Sequence, residues 1–307
     1  MMSDQPPNLS SVPSAPSAPS PSGGLTGPQL ARSQLREFIR RHPTIVIGGS
    51  MLLLIAFAAL CAPLIAGDPI ALAPIDRLKP PSAQFWLGTD SLGRDVYART
   101  IYGARISLLV GLSVALIAVG IGAVIGLLAG YFTRVDAIVM RLMDGVMAIP
   151  AILLAIALVA LMGASAQVVI VAIAIPEVPR VTRLVRSVVL SVRGLPFVEA
   201  ARSNGTRLAK LLRRHILPST VAPLIVQATY ICASAILTEA GLSFLGAGTP
   251  PEFPTWGNMI ASSRLYLQLA PWTIFAPGLC LVAVVLAVNL LGDGLRDRLD
   301  PRISRRM

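Results

Sequence analysis

Long stretches of this sequence carry no charged side chain, among them 44–66 with 23 residues, 106–133, and 145–176 with 32. A packed soluble domain has no means of covering so much uninterrupted apolar chain, whereas about 20 such residues match the hydrocarbon thickness of a bilayer. Composition agrees: of 307 residues, 54% are hydrophobic and 13% charged, and the mean hydropathy is +0.72. Soluble domains carry about 25% charged residues, so a soluble enzyme is excluded. The net charge of +11 and the pI near 10.7 do not point to a nucleic-acid partner, because membrane proteins gather Lys and Arg on their cytoplasmic side. Cys61, Cys232 and Cys280 fall inside apolar runs without paired spacing. They read as small buried hydrophobes, with no disulfide and no metal site expected.

Residues 1–31 are rich in Ser, Pro, Ala and Gly with Asp4 as the only charge, a composition that predicts a disordered cytoplasmic tail. Segment 32–66 holds Arg32, Arg36, Arg40 and Arg41 and then the first apolar run. That run is longer than the signal-peptide core of about 7–15 residues and is expected to remain as an anchor. Residues 67–105 form an extracytoplasmic loop with Pro69, Pro74, Pro80 and Pro81. Residues 106–295 form a core of five further spans, and 296–307 a cytoplasmic tail. As one helix, 145–176 would reach about 48 Å, so it is split at the "MGASAQ" of 162–167. The split places nine basic residues between Arg180 and Arg214 in the cytoplasm, as the positive-inside rule requires. The remaining spans are expected near 220–246 and 271–292. The predicted architecture is an all-α integral membrane protein with six transmembrane helices and both termini in the cytoplasm. Twenty of the 26 Lys and Arg then lie inside, leaving Arg77, Lys79, Arg94, Arg99, Arg105 and Arg264 outside. Gly122, Gly126 and Gly130 recur every four residues in the second run, a spacing that bares one helix face for close packing.

Catalytic patterns are missing. The two lysines, Lys79 and Lys210, follow Leu78 and Ala209, so neither completes the Gly-Lys pair of a Walker A loop. His42 and His215 stand alone, and no G-x-S-x-G elbow or zinc-binding H-E-x-x-H occurs. No catalytic or metal-ligating residue is assigned. Energy for transport must come from another subunit or from an ion gradient.

The cytoplasmic stretch 194–220, "GLPFVEAARSNGTRLAKLLRRHILPST", predicts two short helices. Pro196 suits a first helical position and Asn204-Gly205 a helix end. Leu208, Leu211, Leu212 and Ile216 then take helical spacing opposite Arg207, Lys210, Arg213 and Arg214, with Pro218 as the expected stop. Such a knob suits either a partner's groove or an anionic membrane surface; the residues alone do not choose.

"EAA" at 199–201, Gly205 and "ILP" at 216–218 resemble the EAA loop of ABC importer permeases. "LGTDSLGRDVYARTIYGARISLLVGL" (87–112), "LTEAGLSFLGAGTPPEFPTWGNMI" (237–260) and "NLLGDGLRDRLDPR" (289–302) are similar to the dipeptide, oligopeptide and nickel branch, in particular its second permease subunit. The resemblance spans about 32–303. It implies the type I ABC importer permease fold and a coupling helix over Phe197, Val198, Glu199, Ala200, Ala201 and Asn204, ending at Gly205. It also implies that Asp90, Arg94 and Asp95 of "GTDSLGRD" face a binding protein; on the residues alone they read as a turn tied by ion pairs. Implied partners are a second homologous permease, two cytoplasmic ATPase subunits that hold ATP and Mg, an extracytoplasmic substrate-binding protein and membrane lipid. The chain itself would bind no cofactor. The implied site is the bacterial cytoplasmic membrane and the implied cargo a dipeptide or oligopeptide, with nickel or another small solute as the alternative within the branch. A stand-alone ion-coupled transporter is the alternative of another class, with Glu177 and Glu239 as its only buried carboxylates. Ser203-Asn204 stands where the family more often has Ala-Leu, and "IPEVPRV" where it is richer in Gly and aromatics.

The basic asymmetry yields a direct test. A reporter active only in the cytoplasm is expected to be active when fused after Gly205 or Arg302, and silent after Pro81 or Glu252. Activity at Glu252 would remove the fourth crossing.

Overall fold

The computed structural model describes residues 39–40, 42–250 and 252–299. The tail expected over 1–31 and the terminal arginines Arg302, Arg305 and Arg306 lie outside the described residues. The unit that begins at His42 is built from helices. They are α1 (Pro43–Leu60), α2 (Ala62–Ile65), α3 (Val96–Tyr131), α4 (Thr133–Met147), α5 (Ala151–Met162), α6 (Ala166–Val192), α7 (Pro196–Ser203), α8 (Leu208–Leu211), α9 (Leu217–Phe244), α10 (Trp256–Ser263) and α11 (Trp272–Leu299). No strand occurs among the described residues; the single bridge, Thr89 to Asp95, closes a loop.

Four helical segments are long and apolar enough to cross a bilayer, and a fifth crossing arises if α4 and α5, bent by 85°, count together. The 27 residues of α6 give about 40 Å, long enough to span. Glu177, Arg180, Arg183 and Arg186 make it less apolar than the others.

Three boundaries differ from the sequence expectation, each for a local reason. Helix α3 starts at Val96 rather than 106, because Asp95 caps it by accepting from the Tyr97 amide and because Arg99, 2% exposed, is paired inside the protein. The span expected to begin at Gly145 is interrupted before Pro150, which disfavours helical backbone at the residue ahead of it. Helix α5 keeps only 12 residues, about 18 Å, too short to cross alone. Pro176 and Pro179 do not break α6. Pro218 does not end its helix either. It sits in the first turn of α9, where its missing N–H costs little, and a π turn at Leu212–Ile216 joins α8 to α9. The turn at 163–165 is present: Gly163 takes φ +87° and Ser165 caps α6 by accepting from the Val168 amide.

Packing runs through glycines. Built Cβ atoms at Gly122, Gly126 and Gly130 of α3 would lie 2.6–2.7 Å from Val181, Val185 and Val189 of α6. The constant sequence offset means that the two helices run parallel. Gly111 meets Ile236 of α9, and Gly48 of α1 meets the α11 backbone at Ala287 and Leu291. Lipid offers no hydrophobic drive for helix association, so close backbone approach and dispersion must supply it.

The contacts divide the helix ends into two groups. Trp256 Nε1 donates to Thr100 O at 3.0 Å, Trp272 Nε1 to Thr89 O at 3.3 Å, and Arg77 to the Tyr266 hydroxyl at 3.1 Å. The loops 67–95 and 246–271 therefore share one end. At the other, Arg193 donates to Gly130 O at 3.0 Å, which brings the ends of α3 and α6 together beside α7.

Replacing Gly126 by Val should force its side chain into Val185 and the Thr182 carbonyl. Overpacking of this kind costs about 1–3 kcal/mol. The expected outcome is less purified complex and a lower unfolding temperature; unchanged values would show that α3 and α6 are not held at this face.

Candidate functional site

The chain turns twice between Val192 and Leu208. Leu195 is extended and its carbonyl accepts from the amides of Val198 and Glu199, so α7 starts at Pro196 with Glu199 in its first turn, near the positive helix end. The helix stops in a Schellman motif. Thr206 N–H reaches Ala201 O at 3.2 Å, Gly205 N–H reaches Arg202 O at 3.0 Å, and Gly205 takes φ +70°. That backbone is open to Gly and strained for other residues.

The faces of α7 have separate tasks. Val198 is 2% exposed and packs, with Ala201, into the cluster of Leu211, Leu212 and Ile216. These two seat the helix on the bundle, Val198 buried and Ala201 half-buried. Phe197, Glu199, Ala200, Asn204 and Gly205 are exposed, Phe197 at 47%. Beside them lies a recess of about 330 Å³ lined by Tyr131, Arg193, Gly194, Val198, Glu199, Arg202 and Leu211. The knob thus presents one large ring and small side chains around a polar notch, on a helix fixed to the bundle by its opposite face.

At the long-loop end, Asp90 and Arg94 do not face outward. Arg94 Nε donates to Asp90 Oδ2 at 2.7 Å, both side chains being under 10% exposed, and Asp90 Oδ1 accepts from the amides of Leu92 and Arg94. Arg99 Nε lies 3.9 Å from Asp90 Oδ2, and its Nη1 donates to Pro69 O at 3.2 Å. Asp95 is used as the α3 cap; burial raises its carboxyl above the ordinary range, partly offset by the Tyr97 and Ala98 amides. Asp90 and Arg94 thus form the turn tied by ion pairs that the residues alone suggest, and the half-buried Asp95 caps α3. Exposed residues such as Ile75, Trp86 and Leu92 form its surface.

Some residues of this end are not marked by the sequence alone. Arg99, an outside charge by the topology count, is an internal strut. Trp256, fully buried, and Asn258, which donates to Thr249 O and Pro250 O, lock the loop after α9. Glu239 accepts from Ser243 at 2.8 Å and from Thr249 at 3.3 Å in the same cluster. Their signal is the motif at 237–260, which marks the segment without assigning tasks inside it. Among the described residues, no three His, Cys, Asp or Glu side chains converge for a metal ion.

Residues 101–305 match the family described as "Binding-protein-dependent transport system inner membrane component". A probable peptide ABC transporter permease protein of Sinorhizobium fredii is 61% identical over 91% of this chain and 96% of its own. The dipeptide transport system permease protein DppC of Alkalihalophilus pseudofirmus is 42% identical over 94% and 95%. The di/tripeptide transport system permease protein DppC of Pseudomonas aeruginosa is 44% identical over 89% and 93%. A solved inward-facing MetNI methionine ABC transporter aligns with a TM-score of 0.46 and 19% identity over 63% of this chain and 94% of that one. The family match over residues 101–305 and the relatives at 61%, 42% and 44% identity show that the chain belongs to the family of binding-protein-dependent transport system inner membrane components.

Proposed function

We propose that this membrane permease subunit works in an ATP-driven importer of peptides, paired with a second, homologous permease and fed by an extracytoplasmic binding protein. It carries no catalytic machinery; two cytoplasmic ATPases, holding ATP and Mg, supply the energy. The observation that carries the reading is α7, an exposed knob capped by Gly205 at the arginine-rich end of the bundle and tied to α3 through Arg193. Closure of an ATPase against Phe197, Glu199 and Ala200 would be passed to α3 and α6 together, rocking the spans in alternating access. The basic asymmetry supports a cytoplasmic position for that end and for both termini. Peptide cargo is favoured by the names of the relatives at 61%, 42% and 44% identity.

Gly205→Val tests the coupling role. No atom lies within 4 Å of a Cβ at this position, so the cost is backbone strain alone, about 1–2 kcal/mol. We expect normal amounts of inserted complex, with loss of peptide uptake and of substrate-stimulated ATP hydrolysis per complex. Full coupled activity would show that the knob is only a membrane-surface loop.

Asp90→Ala probes the loop frame. It leaves Arg94 and Arg99 without their shared carboxylate, and breaking such a buried pair costs about 3–5 kcal/mol. The unfolding temperature of the purified complex should fall, and binding-protein stimulation should fall with it. Loss of stimulation at an unchanged unfolding temperature would instead make Asp90 a direct contact.

A further inference from the structure

The second half of α6 and the residue that follows it carry four arginines, three of which are held by neighbouring helices. Arg186 grips Asp136 of α4 with two nitrogens, Arg183 meets Asp144 of α4, and Arg193 donates to Gly130 O of α3. Arg180 differs. Its Nη1 donates to Glu177 Oε1 at 2.7 Å on the same helix, and its other donors meet no partner among the described residues. The Arg180 side chain is 43% exposed, while that of Glu177 behind it is 7% exposed. Glu177 Oε2 is buried without a hydrogen-bond partner, so Arg180 is the charge that offsets it.

Position gives this pair meaning. Arg180, counted with the cytoplasmic basic residues on the sequence alone, instead sits near the middle of α6, about 20 Å from either end. A guanidinium at such depth turns away from lipid, toward protein or a water-filled cavity. The backbone beside it is also open, because Pro176 and Pro179 donate no hydrogen bond to the carbonyls of Ala172 and Ile175. Backbone of that kind persists at membrane depth where it is enclosed by protein or lines a cavity.

We infer that Arg180 lines the translocation path and receives the carboxylate of the passing peptide, with Glu177 as the counter-ion that positions the guanidinium. The inference rests on the peptide reading above. A guanidinium with one nitrogen engaged keeps an edge for a carboxylate, which it recognises by paired N–H donors. When the path is empty, Glu177 neutralises the site. When cargo arrives, the two carboxylates share one cation, and binding stays weak enough for the cargo to leave, as conduction requires.

The test uses the complete importer, with both permeases, the ATPases and the binding protein, reconstituted in liposomes. In a chain whose Cys61, Cys232 and Cys280 are replaced by Ser, Arg180→Cys should react with membrane-impermeant sulfonatoethyl methanethiosulfonate, and dialanine with ATP should slow that reaction. The double substitution Glu177→Gln with Arg180→Gln removes the pair without stranding a buried charge. It should lower dialanine uptake per assembled complex about ten-fold or more, the scale of a lost charged hydrogen bond. Arg180→Lys keeps the charge without the paired donors and should recover the uptake only in part. An unreactive cysteine, or full uptake by the double variant, would overturn the placement. Loss of permease pairing in both the Lys and the double variants would overturn it too, by making Arg180 a seat for the second permease. Uptake of no dipeptide by the unmodified importer would sink the peptide reading itself, and the cysteine labelling tells that failure apart from an error about Arg180.

Discussion

Helices in a bilayer gain little by hiding apolar surface from one another, since lipid tails are as apolar as Val or Leu. What remains is contact at short range, and here the contact between α3 and α6 sets the frame. Gly122, Gly126 and Gly130 let Val181, Val185 and Val189 approach the α3 backbone to a distance that no Cβ would allow. Because these positions recur at one offset, the two helices stay side by side from Gly122 to the end of α3. Arg193 closes the contact by satisfying the Gly130 carbonyl, one of the acceptors that a helix end leaves without a partner. That junction sits beside the turn that leads into α7.

Charges are treated with the same economy. Asp90, Arg94 and Arg99 form one buried group at the long-loop end, and Asp136–Arg186 and Asp144–Arg183 fasten α4 to α6. A charge inside a membrane protein is tolerated where it is paired or reaches water. These pairs offset the charges that the chain carries in and beside its helices.

The spans are legible in the sequence because a bilayer imposes a length that can be read directly from uncharged runs. The end of α7 is legible too, because Asn204-Gly205 is a backbone signal that needs no tertiary information. Boundaries are hidden where tertiary contacts override local cues. Arg99 resembles the end of a span until Asp90 and the Pro69 carbonyl are seen to hold it, and Pro218 resembles a stop until the π turn before it carries the chain onward. The tasks of Val198 and Ala201 depend on which face of α7 meets Leu211 and Leu212, a fact fixed by the fold of a distant segment. Asp90, Arg94 and Asp95 stand out as a unit in the sequence, but charge pattern alone does not tell an internal strut from an external contact.

Helix α3 has the proportions of a lever. Its 36 residues make a rod of about 54 Å, gripped at one end by the Asp95 cap and the buried Asp90–Arg99 group, and at the other by Arg193. A tilt of about 5° about the gripped outer end displaces the far end by about 5 Å, close to one helical turn. A small adjustment of the loop where cargo would be delivered is thereby magnified at the knob, and the same arm works in reverse, turning a large excursion of α7 into a fine movement at the opposite face.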